Sequence, residues 1–295
     1  MKVSIIIPTY NCAVHLRTTL NSIRLCGWDD LEIIIRDGAS TDGTMEQIAD
    51  FPDLPIAALS EPDKGQYDAI NKGLGSASGE IFCWLNAGDL FIPGAVGSAV
   101  DAFTACPEMN WVTGLQCVAE GGKIRRVAET FLLVSDFEIR LGLCKGKWAG
   151  HLQQEGMFWR RALWEKAGPL DLSYHLAGDF ELWTRFARVS PLYRANIPFA
   201  AFCYHGTNRS ITGKNKYDDD VRVAIEKLPG QIRRLHRLFV FLPVTWRVLR
   251  RIPLIRDCLS LLFRLVPIFP IKVISFERRG SLFNVVCKTR PSWVE

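Results

Sequence analysis

Nine cysteines are scattered through the chain, and no two form a C-x-x-C pair. The odd number and irregular spacing argue against a secreted disulfide framework and against a zinc site, and favour a reducing compartment. There is no G-x-x-x-x-G-K-[ST] segment, so the P-loop reading falls away. No uncharged apolar run reaches the roughly 18 to 20 residues that a membrane-spanning helix needs. The opening run over 3–7 is too short for a signal peptide and has no cleavage-site pattern after it. No internal repeat or low-complexity tract breaks the pattern.

What is present suits a globular body with an appendage. The 295 residues are 48% hydrophobic and 23% charged, which supports one large core. Charge is unevenly placed. Residues 231–290 carry thirteen Lys or Arg against Asp257 and Glu277, while the rest of the chain leans acidic. Two surfaces with different tasks follow from that asymmetry.

Apolar periodicity predicts an alternation of strands and helices. Strands are expected over 3–7, 31–35, 56–59 and 80–85, with helices over 13–26 and 68–74 and one of about ten residues after the 40–44 turn. Beyond 95, short strands are expected at 111–114, 124–127 and 154–159, and helices at 161–167 and 180–188. This order implies an α/β fold with a mostly parallel sheet, whose ligands sit at the C-terminal strand ends. The Pro8-Thr9-Tyr10 loop, Asp37 and Asp89 all fall at such ends.

Several segments carry candidate chemistry. Asp37 opens Asp37-Gly38-Ala39-Ser40-Thr41-Asp42-Gly43-Thr44, where a carboxylate past a strand can accept from a base or a ribose, or can cap the next helix. Lys64 and Lys72 flank a polar stretch and can face phosphates or solvent. Asp89 ends the apolar run Ile81-Phe82-Cys83-Trp84-Leu85, after Asn86-Ala87-Gly88, and has the oxygen chemistry of a Mg²⁺ or Mn²⁺ ligand. Asp179 and Glu181, two apart, open a helix and cannot share a face. His205 follows a short strand and becomes a ligand candidate if the fold brings it to Asp89.

Taken in order, these segments resemble a family 2 glycosyltransferase of the GT-A fold, a Rossmann-like α/β architecture. The resemblance rests on Ser4-Ile5-Ile6-Ile7-Pro8-Thr9-Tyr10-Asn11, the Asp37–Thr44 turn, Asp68-Ala69-Ile70-Asn71-Lys72-Gly73, Ala77-Ser78-Gly79-Glu80, Gln154-Glu155-Gly156-Met157-Phe158-Trp159 and Ala177-Gly178-Asp179-Phe180-Glu181-Leu182-Trp183. It covers residues 3–212. It implies a nucleotide-sugar pocket of Pro8, Tyr10, Asp37, Lys64, Asp68, Asn71 and Asn86. Asp89 and His205 would hold a divalent metal, Mn²⁺ or Mg²⁺, and Asp179 would be the catalytic base. Glu155 and Glu181 would stand on the acceptor side. Acids common in the family's D-x-D element are replaced here by Asn86 and Gly88, so metal binding without nucleotide is expected to be weak. The processive Q-x-x-R-W signature is absent, which implies addition of a single sugar.

The resemblance thus implies inverting transfer from a nucleoside diphosphate sugar, with UDP as the expected carrier, to a saccharide hydroxyl. The domain is expected over 1–230. Residues 231–295 are expected to form a helical basic and apolar tail lying on the membrane surface. That would place the protein in the cytoplasm, peripheral to the inner membrane face, handling a lipid-linked acceptor in surface polysaccharide assembly and no nucleic acid. A nucleotidyltransferase-like enzyme and a nucleotide-binding scaffold without activity remain open alternatives.

Overall fold

The structure is a computed structural model and describes residues 1–129, 134–144, 152–206, 208, 213–239, 270–279 and 282–291. Its first strand, β1 (Val3–Thr9), is buried along its whole length, which is why it reads as a continuous apolar run rather than an alternation. It pairs in parallel with β2 (Leu31–Asp37) and with β4 (Ile81–Trp84), and β2 pairs in parallel with β3 (Ile56–Ser60). Helix α1 (Ala13–Arg24) connects β1 to β2, and α2 (Gln66–Ser76) connects β3 to β4. The register sets Thr9 beside Asp37. The strand ends that bear the candidate residues therefore open onto one edge.

The second half extends the sheet. After β5 (Leu90–Phe91) and α3 (Ala95–Ala105) come β6 (Trp111–Thr113), β7 (Cys117–Glu120), β8 (Lys123–Val127) and α4 (Asp136–Arg140). Then follow β9 (Met157–Arg160), α5 (Arg161–Ala167), α6 (Gly178–Val189), β10 (Tyr193–Ala195) and β11 (Ala200–Tyr204). The nine-stranded sheet has the order β13-β12-β10-β6-β9-β4-β1-β2-β3, where β12 is Pro270–Arg279 and β13 is Leu282–Pro291. Strand β9 runs antiparallel between β4 and β6. A smaller sheet, β5-β11-β7-β8, lies apart from it. The fold is α/β with a mostly parallel central sheet, as expected.

Four tryptophans pin the middle of the sheet to α6. Trp84 of β4 stacks on Trp183 of α6 at 5.6 Å and meets Trp159 of β9 edge-on at 5.5 Å, and Trp111 of β6 stacks on Trp183 at 5.9 Å. Such pairs add about 0.5–1.5 kcal/mol each beyond their burial. Trp84 lies just before the Asn86–Asp89 turn and Trp183 one turn after Asp179. The cluster therefore fixes the two candidate acids relative to each other.

Two expectations are corrected. The helix after the 40–44 turn is only a short 3-10 segment, Glu46–Asp50. Phe51 precedes Pro52, and the residue before a proline is driven out of the helical region. The tail is helical over Gly230–Phe239, but Pro270–Arg279 and Leu282–Pro291 pair as antiparallel strands, the first of which joins β10 in parallel. The reason is packing: Ile271, Val273 and Ile274 are fully buried, and β-branched residues pack well on a pleated strand surface. The sheet thus runs past residue 230 into the expected tail. The apolar stretches expected as membrane-surface helices over 240–269 lie outside the described residues.

The Ala77-Ser78-Gly79-Glu80 segment has a structural task. Glu32 of β2 accepts hydrogen bonds from the Ser4 hydroxyl, from Ser78 N at 2.5 Å and from Gly79 N at 3.1 Å, and pairs with Lys2 at 3.0 Å. A Cβ at Gly79 would stand 2.4 Å from Ser4 Oγ, so glycine is required. Burial alone would raise the Glu32 pKa, but the hydrogen bonds from Ser4 and Ser78 outweigh it and hold the carboxyl at about 2. The folded value lies below the unfolded one, so this stabilisation is present above the unfolded pKa and is lost as pH falls through the folded one. Urea midpoints taken from about pH 6 down to about pH 3 should fall for the wild type, with a gap to Glu32→Gln that narrows with acid. A gap independent of pH would show that the carboxylate charge is not what stabilises this corner.

Candidate active site

Strand β4 ends in a tight turn in which Asp89 N donates to Asn86 O at 3.0 Å. Gly88 sits there at φ +108°, a conformation that side chains with a Cβ rarely adopt. Thr19 of α1 locks the turn: its hydroxyl accepts from Gly88 N at 2.8 Å and donates to Asp89 O at 2.9 Å. A Cβ at Gly88 would lie 3.6 Å from both His15 Cβ and His205 Nε2. An acid at position 88 is thus opposed by backbone conformation, while the two histidines stand at ordinary contact distance.

Asn86 is an amide for a reason its partners show. Its Oδ1 accepts from Gln66 Nε2 at 2.6 Å, and its Nδ2 donates to Gln154 Oε1 at 3.0 Å and, more weakly, to Asp89 Oδ2 at 3.4 Å. Gln154 is oriented in turn, because its Nε2 donates to Trp84 O at 2.7 Å. An aspartate at 86 would set an acceptor-only group against the Gln154 oxygen and the Asp89 carboxylate.

Asp89 is 5% exposed and accepts from Cys203 N at 2.9 Å through Oδ1. Burial pushes its pKa up to about 7 against the opposing hydrogen bonds from Cys203 and Asn86. Glu155 is also buried, and burial followed by the Asp89 charge pushes its carboxyl well above the usual range. Its Oε2 has no hydrogen-bond partner among the described residues. Asp179, in the first turn of α6, lines the same cleft of about 940 Å³ as Asp89, Glu155 and Asn86. Like charges gathered out of water favour protonation or a bound cation.

The loop that presents Asp179 is held from two sides. Asp220 of α7 (Lys214–Glu226) accepts through Oδ2 from the backbone N–H groups of His175, Leu176 and Ala177 at 2.7, 2.7 and 3.2 Å. Gly178 N donates to the Tyr67 hydroxyl at 2.9 Å, and a Cβ at Gly178 would stand 2.6 Å from the Tyr67 ring. Position 178 is therefore glycine by close approach. His205 also lines the cleft, with its ring stacked on His15 at 4.2 Å. Burial and then His15 lower the His205 pKa.

The structure brings Pro8, Tyr10, Asn86, Asp89, Glu155, Asp179 and His205 to the cleft, as the sequence suggests. Asp37, Lys64, Asp68, Asn71 and Glu181 are not on its wall. Asp37 is 2% exposed and saturated by its own chain. It accepts from the Thr9, Ser40 and Ser60 hydroxyls at 2.9, 2.5 and 2.6 Å and from Ser40 N at 2.8 Å. It therefore shapes the loop, and Gly38 and Asp63 form the wall above it. Asp68 accepts from Lys64 N at 3.0 Å at the start of α2 and pairs with Lys72 at 3.3 Å. The Asn71 amide is spent on the backbone of Leu170, with both bonds at 2.9 Å. Glu181 is held by Arg185, its i,i+4 neighbour, at 2.8 Å.

His15, Gln66, Tyr67 and Asp220 went unremarked in the sequence. Tyr67 and Gln66 sit inside a segment dense in polar groups, where nothing marks one over another. His15 and Asp220 act only through tertiary neighbours. The donor set of the cleft, carboxylate oxygens with Glu155 Oε2 unmatched, fits a hard divalent cation. Among the described residues no three ligand atoms of His, Cys, Asp or Glu converge in the cleft. A cation there would complete its shell with waters and oxygens of a bound phosphate.

Comparison with known proteins agrees with this geometry. The chain is 28% identical over 266 residues to a PGL/p-HBAD biosynthesis glycosyltransferase of Mycobacterium bovis, a match that covers 87% of this chain and 96% of that one. It is 26% identical over 201 residues to an uncharacterized glycosyltransferase of Rickettsia conorii, covering 65% of this chain but only 32% of that protein. Among solved structures, S. aureus TarS 1–349 in complex with UDP-GlcNAc superposes with a TM-score of 0.61 at 13% identity, over 81% of this chain and 70% of that one. A mannosyltransferase from Pyrobaculum calidifontis in complex with GDP-Man and Mn²⁺ gives a TM-score of 0.60 at 20% identity, over 90% and 80%. The family model for glycosyl transferase family 2 matches residues 4–166, more than half of the chain. With that match on an α/β sheet whose strand ends open into an acidic cleft, the chain belongs to glycosyl transferase family 2 and has its GT-A fold.

Proposed function

We propose that the protein is an inverting glycosyltransferase that moves a single sugar from a nucleoside diphosphate sugar, UDP-linked, onto a hydroxyl of a lipid-linked saccharide in surface polysaccharide assembly. The observation that carries this reading is the meeting of Asp179, at the start of a firmly held helix, with the buried Asp89 and Glu155 in one cleft. The TarS structure bound to UDP-GlcNAc and the mannosyltransferase bound to GDP-Man with Mn²⁺ support the donor class and a metal.

Asp179 is the base. It takes the proton of the acceptor hydroxyl, and the oxygen attacks the anomeric carbon from the face opposite the leaving nucleoside diphosphate, inverting its configuration. Asp89 and Glu155 would hold the divalent cation, with Asn86 orienting Asp89. A cation held there would supply positive charge against the negative charge that builds on the diphosphate. Pro8, Tyr10 and Asp63 form the side of the cleft nearest the β1 and β2 ends, where the nucleoside would lie. Asp220 keeps Asp179 aimed from behind the cleft wall, and Tyr67, which lines the cleft, braces the Gly178 backbone beside it.

Helix α8 (Gly230–Phe239) supports contact with a membrane surface in the cytoplasm. His236 is buried with Nδ1 2.6 Å from Leu141 O, while Arg234, Leu235, Arg237 and Leu238 face outward. Exposed Arg beside exposed Leu is the pattern of a helix lying at a lipid interface. Among the described residues no helix is long and apolar enough to cross a membrane.

Three outcomes follow. Asp179→Asn should keep nucleotide-sugar binding by calorimetry while turnover falls about 10²–10⁴-fold. Retained turnover would pass the role of base to Glu155. In a thermal-shift panel, one UDP-sugar should stabilise the protein in the presence of Mn²⁺ and much less without it. Stabilisation by nucleoside triphosphates instead would favour a nucleotidyltransferase. Full-length protein should float with anionic liposomes at low salt and release as salt rises. Protein that stays at the bottom of the gradient at low salt would remove the membrane from the proposal.

A further inference from the structure

Away from the cleft, Cys106, Glu108 and Cys287 bring their ligand atoms within 4.8 Å of one another. None of the three lines the cleft. Two of them come from one rigid turn. Cys106 follows α3, and its carbonyl accepts from Met109 N at 2.9 Å, with Pro107 in the second position of the turn that proline favours. Cys106 and Glu108 are therefore presented together, and the buried Tyr193 donates its hydroxyl to Glu108 Oε1 at 3.4 Å. The third residue arrives from the opposite end of the chain. Cys287 lies on β13 in register with Ile274 of β12, which is itself seated against Ala195 of β10.

We propose that Cys106, Glu108 and Cys287 form a site for a borderline-soft divalent cation of the zinc class, with water as the fourth ligand, which fastens the β12–β13 hairpin to the turn after α3. Two sulfurs and one carboxylate oxygen are the wrong set for Mg²⁺ or Mn²⁺ and the right one for zinc. Zinc bonds of about 2.3 Å to sulfur and 2.0–2.2 Å to oxygen place tetrahedral ligands roughly 3.5–3.8 Å apart. Small side-chain rotations reach that from the observed spacing. Cys106 is 2% exposed, whereas Glu108 and Cys287 are exposed, so an ion has an entry path and a position open to water. On binding, the thiol protons leave to solvent and the cation removes the repulsion among three groups that become anionic together. The irregular cysteine spacing argued against a zinc site, and the sheet supplies by tertiary pairing what the spacing lacks.

The test uses full-length protein, reduced and freed of metal, titrated with Co²⁺ as a coloured probe. About one equivalent should give a sulfur-to-cobalt charge-transfer band and visible bands of tetrahedral Co²⁺, both displaced by Zn²⁺. Cys287→Ser and Cys106→Ser should each lose the charge-transfer band, and Glu108→Gln should weaken cobalt binding. Zn²⁺ should raise Tm in the wild type, less in Glu108→Gln and not in either cysteine variant. Tm without metal, measured for every variant, checks folding. Because Cys287 is exposed, its variant decides the matter if Cys106→Ser does not fold. No cobalt band in the wild type, or a band unchanged in Cys287→Ser, overturns the proposal. So does a Cys106–Cys287 disulfide, mapped by mass, whose reduced form binds no cobalt.

Discussion

An acid carried out of water at the end of an apolar strand is the constraint around which this protein is arranged. Burial pushes Asp89 up to about 7, and burial followed by the Asp89 charge pushes Glu155 well above the usual carboxylate range. A buried carboxylate is costly unless hydrogen bonds or a cation meet its charge. Cys203 N and Asn86 meet part of it. The remaining demand is of the kind that protonation or a bound cation meets. The replacement of acids by Asn86 and Gly88 follows from the same arithmetic. Another carboxylate in the turn would add repulsion, whereas the Asn86 amide donates to one neighbour and accepts from another.

The apolar side of the site matters as much. The tryptophan cluster that joins β4, β6, β9 and α6 turns two distant chain segments into one rigid unit. Asp179 then rests on Asp220 and Tyr67 for its orientation. Acids outside the cleft wall do the supporting work. Asp37 shapes the loop next to β1, Asp68 ties the first turn of α2 back to Lys64, and Glu181 ties α6 to the segment before it through Arg185. Residues of a family motif are thus divided here between those that face the cleft and those that hold its walls.

The C-terminal region divides differently from what its composition suggests. Arg and Leu are exposed together on the helix Gly230–Phe239. Residues 270–291 instead complete the central sheet at the edge beyond β10. Basic residues in that hairpin, such as Lys288 paired with Glu277, belong to an ordinary strand surface. Charge counts taken along the sequence had merged the two.

Strand order in the first ninety residues was legible in the sequence, because β1, β2 and β4 are rich in consecutive apolar residues, Ile5-Ile6-Ile7, Ile33-Ile34-Ile35 and Ile81-Phe82-Cys83-Trp84, as a sheet covered on both faces requires. The positions of Asp89, Asp179 and Glu155 were legible as well, through motifs whose order along the chain matches the family. Which acid faces the cleft was not. Asp37 and Asp89 look alike as strand-end aspartates, and only the Thr9, Ser40 and Ser60 hydroxyls around Asp37 show that its lone pairs are already taken. Glu181 and Asp179 differ only by the 200° that separates i and i+2 on a helix. The stacking of His15 on His205, the Asp220 clamp and the meeting of Cys106 with Cys287 join residues far apart in the chain. Local periodicity carries no record of such pairs, since they are created when strands and helices pack.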